Sequence, residues 1–501
     1  MASLGELLPK AASRPDKVAL VAGDREITYT ELEDRVRRAA AALAGLGVRK
    51  GDRVALVLGN VPEFVEALHA AWRIGAAAVP LNVMLTAEEV GYVLADAEPA
   101  AVVADRAFLT TVLAVEQRVP TGHVLVIGDG PAPGGTVSWE EALAAAGDAP
   151  EADVGEEDLA LLQYTAGTTA RPKGAMLTHG NLLANLDQIS QVPALREAES
   201  DVILLVLPLF HIYALNVILG ITIREGATAV LVERFDPAAT LDLVETRGIT
   251  VLFGAPPMFI AWLEAAGERE RDLSSVRIAV SGAARLPGTV LEAFRDRLGI
   301  TIWEGYGLTE TAPAVTTNAL GDVAKPDSIG LVLPGVEVRL VDERGEDVAD
   351  GDPGEIVVRG PNVFQGYWRR PEDTDASFVD GWLRTGDIAY RDEGGSLYIV
   401  DRTKDLVIVS GFNVYPKEVE EAIASHPAVA EVAVIGVPDD RTGEAVKAMV
   451  VAAAGASLTE QDVLDHCRDH LARFKWPRDV ELVDSLPKHV TGKVLRRMLR
   501  E

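Results

Sequence analysis

The stretch Tyr164-Thr165-Ala166-Gly167-Thr168-Thr169-Ala170-Arg171-Pro172-Lys173-Gly174 decides how this chain is read. An apolar run, Leu159 to Gln163, leads into it and reads as a buried strand. Behind the cap residue Thr178, Leu182, Leu183, Leu186 and Ile189 recur at helical spacing. The stretch is therefore expected to be a loop between a strand and a helix. Its hydroxyls, its glycine backbone and the cations Arg171 and Lys173 suit phosphate oxygens. It is not the common phosphate loop, which ends Gly-Lys-Ser/Thr, because the order here is Lys173-Gly174-Ala175. By itself it would also serve as a polar surface turn.

Composition bounds what such a loop can belong to. At 501 residues the chain is too long for one compact core, so at least two domains are expected. A net charge of -29 repels nucleic acid and anionic membrane surfaces, so an anionic substrate must be met by local cations. The single cysteine, Cys467, excludes an internal disulfide and a cysteine metal cluster. It fits packing in a reducing, cytoplasmic setting. The leucines before Pro15 are interrupted by Glu6 and Lys10, unlike a signal peptide. Val202 to Ile223 carries no charge, yet Pro208, His211, Tyr213 and Asn216 interrupt it. It reads as a buried strand, a short loop and a buried helix, not a membrane span.

Outward from the central stretch the chain alternates strands and helices. Thr30 with Glu33, and Thr86 with Glu89, are read as capping boxes. Arg53 to Leu58, Ala77 to Val79 and Ala101 to Ala104 read as strands, and Pro62 to Ile74 as a helix. Gly128 to Gly135 is a loop, since Pro133 spoils the dinucleotide fingerprint. After the stretch, strands at Ile249 to Phe253, Arg277 to Val280 and Ile300 to Trp303 alternate with helices Pro256 to Ala266 and Pro287 to Leu298. The fold class is α/β: parallel-sheet βαβ layers, with a small antiparallel β-rich region from Ile329 to Tyr398. A charged pentad, Asp401 to Asp405, marks a boundary before a smaller α+β remainder.

Four further motifs carry chemistry. In Trp303-Glu304-Gly305-Tyr306-Gly307-Leu308-Thr309-Glu310, following a strand, the glycines allow close ligand approach and Tyr306 offers a flat face. Thr309 and Glu310 offer hard oxygens for magnesium. Trp382 to Asp387 ends in a carboxylate suited to ribose hydroxyls, or is a solvated turn. Asp401-Arg402-Thr403-Lys404-Asp405 is a candidate hinge or a plain linker. Pro487 to Lys493 sets Lys493 on a glycine-containing loop before a basic tail.

Together, in this order and across essentially the whole chain, the five motifs resemble an acyl-CoA synthetase of the adenylate-forming (AMP-binding) superfamily. The resemblance implies an N-terminal domain over residues 1–400, a hinge at 401–405 about Lys404, and a mobile C-terminal domain at 406–501 carrying Lys493. It implies coupling of a carboxylate to ATP as acyl-AMP, then transfer to coenzyme A. Lys493 would bridge carboxylate and phosphate oxygens, where two anions must meet. Mg2+, held through Glu310 and Thr165, would neutralise the leaving pyrophosphate. Thr165, Gly167, Thr168, Thr169 and Lys173 would grip the outer phosphates. Gly282, Ala283, Glu304, Gly305, Tyr306, Gly307 and Thr309 would frame the nucleotide, with Asp387 and Arg402 on the ribose. Ser410, Gly411 and Phe412 would line the coenzyme A channel, with a plain turn as the lesser alternative for Gly411. A homodimer is compatible with the resemblance.

The sequence departs from the family's Thr-Ser-Gly-Thr-Thr-Gly at Ala166 and Ala170; a lost bond to a charged group costs about 1.5–3 kcal/mol. Leu207 to His211 matches the acyl-pocket motif, and His211 is either beside the reacting carboxylate or a core histidine. Amino-acid-activating relatives carry aspartate where this chain has His211, and malonate-activating relatives carry arginine where it has Gly305. The expected acyl lining, Leu209, Phe210, Tyr213, Leu215 and Met258, is apolar. A medium- or long-chain fatty acid is the first reading and an aryl or cinnamic acid the second. Some long-chain relatives have a tryptophan gate where Leu215 stands. Loading of a carrier protein, a catalytically silent nucleotide binder and a luciferase-like oxidation are the remaining alternatives.

Overall fold

The computed structural model describes residues 3–116, 122–150, 152–166, 171–267, 269, 271–342, 344–402, 407–414, 416–487 and 499. Two large sheets dominate. The first runs, in spatial order, Val137–Ser138, His123–Ile127, Ala101–Asp105, Arg53–Val57, Ala77–Pro80, Leu159–Ala166, Pro172–Thr178. All its pairs are parallel except the last. The central strands are apolar at consecutive positions because both faces are covered.

The second sheet runs Leu331–Val332, Ala314–Thr317, Ile302–Gly307, Ile278–Ser281, Val251–Gly254, Val202–Leu205, Thr228–Leu231, Val18–Ala22, Arg25–Thr28, parallel through its middle. One hydrophobic core joins both sheets through helices Tyr29–Gly45, Pro62–Arg73 and His179–Ser190. A five-stranded antiparallel sheet, from Glu337–Val341 to Leu397–Arg402, closes on the same core. The C-terminal part has a sheet and a core of its own, built on strands Val429–Asp439 and Gly443–Ala452 and helices Pro416–Ala424 and Glu460–His470. Cys467 is buried there, and burial pushes its thiol up to about 12, so it packs and does not react. Among the described residues no helix is long and apolar enough to cross a membrane.

Four expectations are corrected. The first capping box is Thr28 with Glu31, not Thr30 with Glu33. Tyr29 begins that helix and sends its hydroxyl to the carbonyls of Thr222 and Ala227 at 3.2 and 2.7 Å, which fixes the start. The central stretch does not join a strand to a helix. Pro172–Thr178 is a second strand, antiparallel to Leu159–Ala166, so the stretch is the end of a hairpin and the helix starts after it. The motif Trp303 to Gly307 lies within strand Ile302–Gly307 and does not follow one. The 400/401 boundary falls inside a strand, because Leu397–Arg402 pairs with Trp382–Arg391. Lys404 lies outside the described residues.

Candidate active site

A cavity opens where the ends of the central parallel strands meet the antiparallel additions. The hairpin makes Thr165 and Lys173 direct cross-strand partners. Thr165 lines the cavity. The Lys173 ammonium ion-pairs with Asp373 and sits 5.2 Å from the centre of the Tyr367 ring. Tyr367 in turn donates its hydroxyl to Glu310 Oε1 at 2.6 Å. Phe364 N–H holds the Glu310 carbonyl at 2.9 Å. Glu310 and Thr309 both line the cavity. Carboxylate and hydroxyl oxygens fit a hard divalent cation such as Mg2+. The links through Tyr367 and Asp373 were not read from the sequence, since neither residue lies in a motif.

Most of the residues expected to frame a nucleotide line the same cavity. Gly282, Ala283, Gly305, Tyr306 and Gly307 line one wall. A Cβ on Gly307 would lie 1.9 Å from the Pro313 carbonyl oxygen, and one on Gly282 would lie 3.0 Å from the Tyr213 ring. The wall therefore requires glycine at 307, where the obstacle is backbone, and is tight at 282, where it is the Tyr213 ring. Tyr306 donates its hydroxyl to Asp387 Oδ2 at 2.7 Å, bringing together two residues from different motifs. Asp387 sits across the strand pair from Arg402, so the two residues expected on the ribose are direct cross-strand partners.

Glu304 is the exception. It is 1% exposed, absent from the cavity wall, and accepts Leu286 N–H at 3.1 Å. Burial pushes its carboxyl up to about 8. It holds the turn behind the wall and does not face the nucleotide.

The expected acyl lining is also corrected. Tyr213 lines the cavity, but Leu209 and Leu215 are core residues at 1% exposure. Phe210 stacks on Phe412, with ring centres 6.5 Å apart, and Met258 packs on the core beneath the second sheet. Tyr213–Gly220 is a π-helix continuing into helix Ile221–Glu225, and Tyr213, Val217 and Ile221 face the cavity together. Phe253 and Val280 complete this apolar side.

The preceding loop is pinned from outside. The Asn60 amide donates to the Leu207 carbonyl at 3.0 Å and accepts Leu209 N–H at 2.8 Å, and Gln163 donates to the Phe210 carbonyl at 2.9 Å. His211 therefore stands on the cavity wall, open to the cavity on part of its surface. Its Nδ1 accepts Tyr213 N–H at 3.3 Å, and desolvation holds the imidazole down to about 4. At neutral pH it is an uncharged ring whose Nε2 carries the proton.

The loop Ser410 to Phe412 lies against the N-terminal part. Ser410 and Gly411 have φ of 51° and 83°. A Cβ on Gly411 would meet the Ala255 side chain at 3.3 Å. Gly167, Thr168, Thr169, Ala170 and Lys493 lie outside the described residues, as do the side chains of Ala166 and Arg402.

A family model described as AMP-binding enzyme matches residues 8–368, and one described as AMP-binding enzyme C-terminal domain matches residues 418–493. A feruloyl-CoA synthase of an Amycolatopsis species is 40% identical over 496 residues, covering 98% of this chain and 97% of its own. A long-chain-fatty-acid–CoA ligase of Yersinia pestis is 40% identical over 530 residues, covering 100% of this chain and 94% of its own. Among solved structures, a double mutant of an o-succinylbenzoate CoA synthetase of Bacillus subtilis, bound with its product analogue OSB-NCoA, is 32% identical with a TM-score of 0.88, covering 98% of both chains.

Proposed function

The chain belongs to the AMP-binding enzyme family and is an acid–CoA ligase, and from that premise we propose that it activates an apolar-bodied carboxylic acid as acyl-AMP and passes it to coenzyme A in a cavity shared by both steps. The observation that carries this reading is the convergence of three groups on one cavity. Tyr306 and Asp387 form the ribose side, Thr165, Thr309 and Glu310 the phosphate side, and the π-helix the acyl side.

ATP would enter with its base between Tyr306 and the Gly282-Ala283 turn. Glu310 and Thr165 would hold Mg2+, whose charge would offset that of the departing pyrophosphate. The acid would lie along Tyr213, Val217 and Ile221 with its carboxylate near His211. A neutral Nε2–H there can donate to the carboxylate without locking it in an ion pair, so the oxygen stays nucleophilic toward the α-phosphorus. Lys493, by resemblance, would neutralise the two anions as they meet.

The arrangement of the two parts favours the second step. The Ser410-Gly411-Phe412 loop already rests on Phe210 and Ala255, where a thiol could approach an adenylate from outside the nucleotide. The high TM-score to a synthetase holding a coenzyme A product analogue supports the same reading, because a differently placed C-terminal part would not contribute to it. A buried, inert Cys467 agrees with a reducing, cytoplasmic setting.

The acid is a fatty acid or an aryl or cinnamic acid. The test is acid-dependent pyrophosphate release from ATP and Mg2+ across saturated acids, benzoate and cinnamates, with and without coenzyme A. Release accompanied by acyl-CoA supports the proposal. Release that never yields a thioester points to a carrier-protein acceptor, and ATP binding without any release overturns the ligase assignment.

A further inference from the structure

The acyl end of the cavity contains a carboxyl group that the mechanism above does not use. Glu197 lines the cavity, is 4% exposed, and both of its carboxyl oxygens lack a hydrogen-bond partner among the described residues. It shares that end with Leu195, Val217 and Ile221, away from the motifs that frame the nucleotide.

The nearby donors are committed elsewhere. Arg277 directs its guanidinium at Asp201 and at the Arg196 carbonyl, the latter at 2.9 Å. The Thr222 hydroxyl comes within reach of the carboxyl and favours its charged form as a hydrogen-bond donor would, but its proton is given to the Ile218 carbonyl at 2.7 Å. Tyr29 gives its hydroxyl to two carbonyls. Arg14 pairs with Glu199 at 3.1 Å.

The inward pose is also imposed by the chain. Arg277 pins Arg196 on one side, and Asp201 accepts Ala198 N–H at 2.6 Å on the other. Thr250 donates its hydroxyl to Asp201 at 2.7 Å, and so anchors the turn to the sheet. Glu197 sits between two fixed neighbours and cannot easily swing out to solvent. Burial, with the Asp201 charge beside it, raises its carboxyl well above the ordinary glutamate value. The protonated form, which can both donate and accept, is thereby favoured over the carboxylate.

Resting on the ligase reading, we propose that Glu197 selects the acid: it recognises a hydroxyl at the end of the substrate remote from the reacting carboxylate, and the preferred substrate is a hydroxylated acid. A buried polar group without a partner penalises any ligand that leaves it so. Water can solvate Glu197 in the empty cavity, but a hydrocarbon tail expels that water and replaces none of its bonds. A terminal hydroxyl restores them. Sites built to bond a substrate hydroxyl reject the analogue lacking it far more strongly than apolar pockets reject an added hydroxyl.

The experiment compares kcat/KM within matched pairs: 4-hydroxycinnamate against cinnamate, and ω-hydroxyoctanoate against octanoate. It is run in the wild-type enzyme, in Glu197→Gln and in Glu197→Leu. We expect the wild type to favour at least one hydroxylated partner by about 10- to 100-fold. Glu197→Gln, which keeps one donor and one acceptor, should retain part of that preference. Glu197→Leu should abolish or invert it by improving the unhydroxylated partner. Equal use of both partners by the wild type overturns the proposal and leaves the ligase reading intact. Variants that lower both partners by the same factor overturn it too, since that marks a structural role. Absence of turnover with every acid counts against both readings.

Discussion

Replacing Glu89 with glutamine should slow thioester formation while sparing adenylate formation. Lys475, in the C-terminal part, is 3% exposed, and its ammonium lies 2.6 Å from Glu89 and 2.6 Å from Glu418. Burial opposes the charge, but the Glu418 and Glu89 carboxylates outweigh it and raise the lysine pKa. Only the Glu89 bond crosses from one part of the chain to the other. Glu89 also closes a capping box through its other oxygen, accepting Thr86 N–H at 2.8 Å and its hydroxyl at 2.9 Å. Glutamine keeps that box with its carbonyl and turns its NH2 toward Lys475, so the change removes the cross-link and little else. Losing one buried charge-assisted bond costs about 1.5–3 kcal/mol. That lowers the weight of this arrangement by about 10- to 150-fold. The assay separates the half-reactions: acid-dependent pyrophosphate exchange for the first, and single-turnover transfer from supplied acyl-AMP to coenzyme A for the second. A selective fall in transfer is expected. Equal loss in both, or unchanged transfer, would refute the reasoning.

Three further outcomes follow from named groups. Glu304→Gln should leave stability unchanged near pH 4.5 and raise it as pH climbs toward 8. The native carboxyl stays protonated up to about 8 while the unfolded one ionises near 4.5, so burial of the acid costs progressively more across that window, roughly 5 kcal/mol at its end; a pH-independent change in melting temperature would contradict this. Lys493→Ala should abolish adenylate formation and spare transfer from supplied acyl-AMP, and equal loss of both would remove that role. Asp373→Asn, which releases Lys173 from its carboxylate partner, should lower the KM for ATP by about 10-fold, on the scale of one charge-assisted bond; an unchanged KM would mean that Lys173 does not serve the phosphates.

Much of this architecture is legible in the sequence because it rests on local rules. Helix Pro256–Ala266 has the predicted bounds, and the Thr86–Glu89 box forms as read. What failed depends on contacts distant in sequence. Thr28-x-x-Glu31 and Thr30-x-x-Glu33 are equivalent as strings, and the buried hydroxyl of Tyr29 chooses between them. Pro172 to Thr178 contains Pro, Lys and Gly, poor strand formers, and becomes a strand through pairing with Leu159–Ala166. The acyl wall was misassigned because apolar type does not tell a cavity-facing residue from a core one: Tyr213, Val217 and Ile221 face the cavity while Leu209 and Leu215 pack in the core. Glu197 is hidden in Arg196-Glu197-Ala198-Glu199-Ser200-Asp201, which reads as a solvated charged run. Only the clamp between Arg277 and Asp201 turns it inward.

The placement of charge makes the two-step reading coherent. With a net charge of -29, the chain cannot rely on its overall field to gather ATP, an acid and coenzyme A, all of them anions. The cations must be local, yet a cation left exposed in the cavity between steps would retain pyrophosphate and compete with release. Asp373 resolves this by occupying Lys173 in the arrangement where the Ser410 to Phe412 loop rests on the N-terminal part. The phosphate side is thus self-neutralised while the acyl side is presented to the thiol. The Lys475–Glu89 bond would hold the C-terminal part in place during that interval. An arrangement for adenylation would need the opposite: Lys173 released to the phosphates, the Glu89 bond broken, and Lys493 brought in. On the two-step reading, the exchange between the arrangements would be driven by which anion, pyrophosphate or thioester precursor, occupies the cavity.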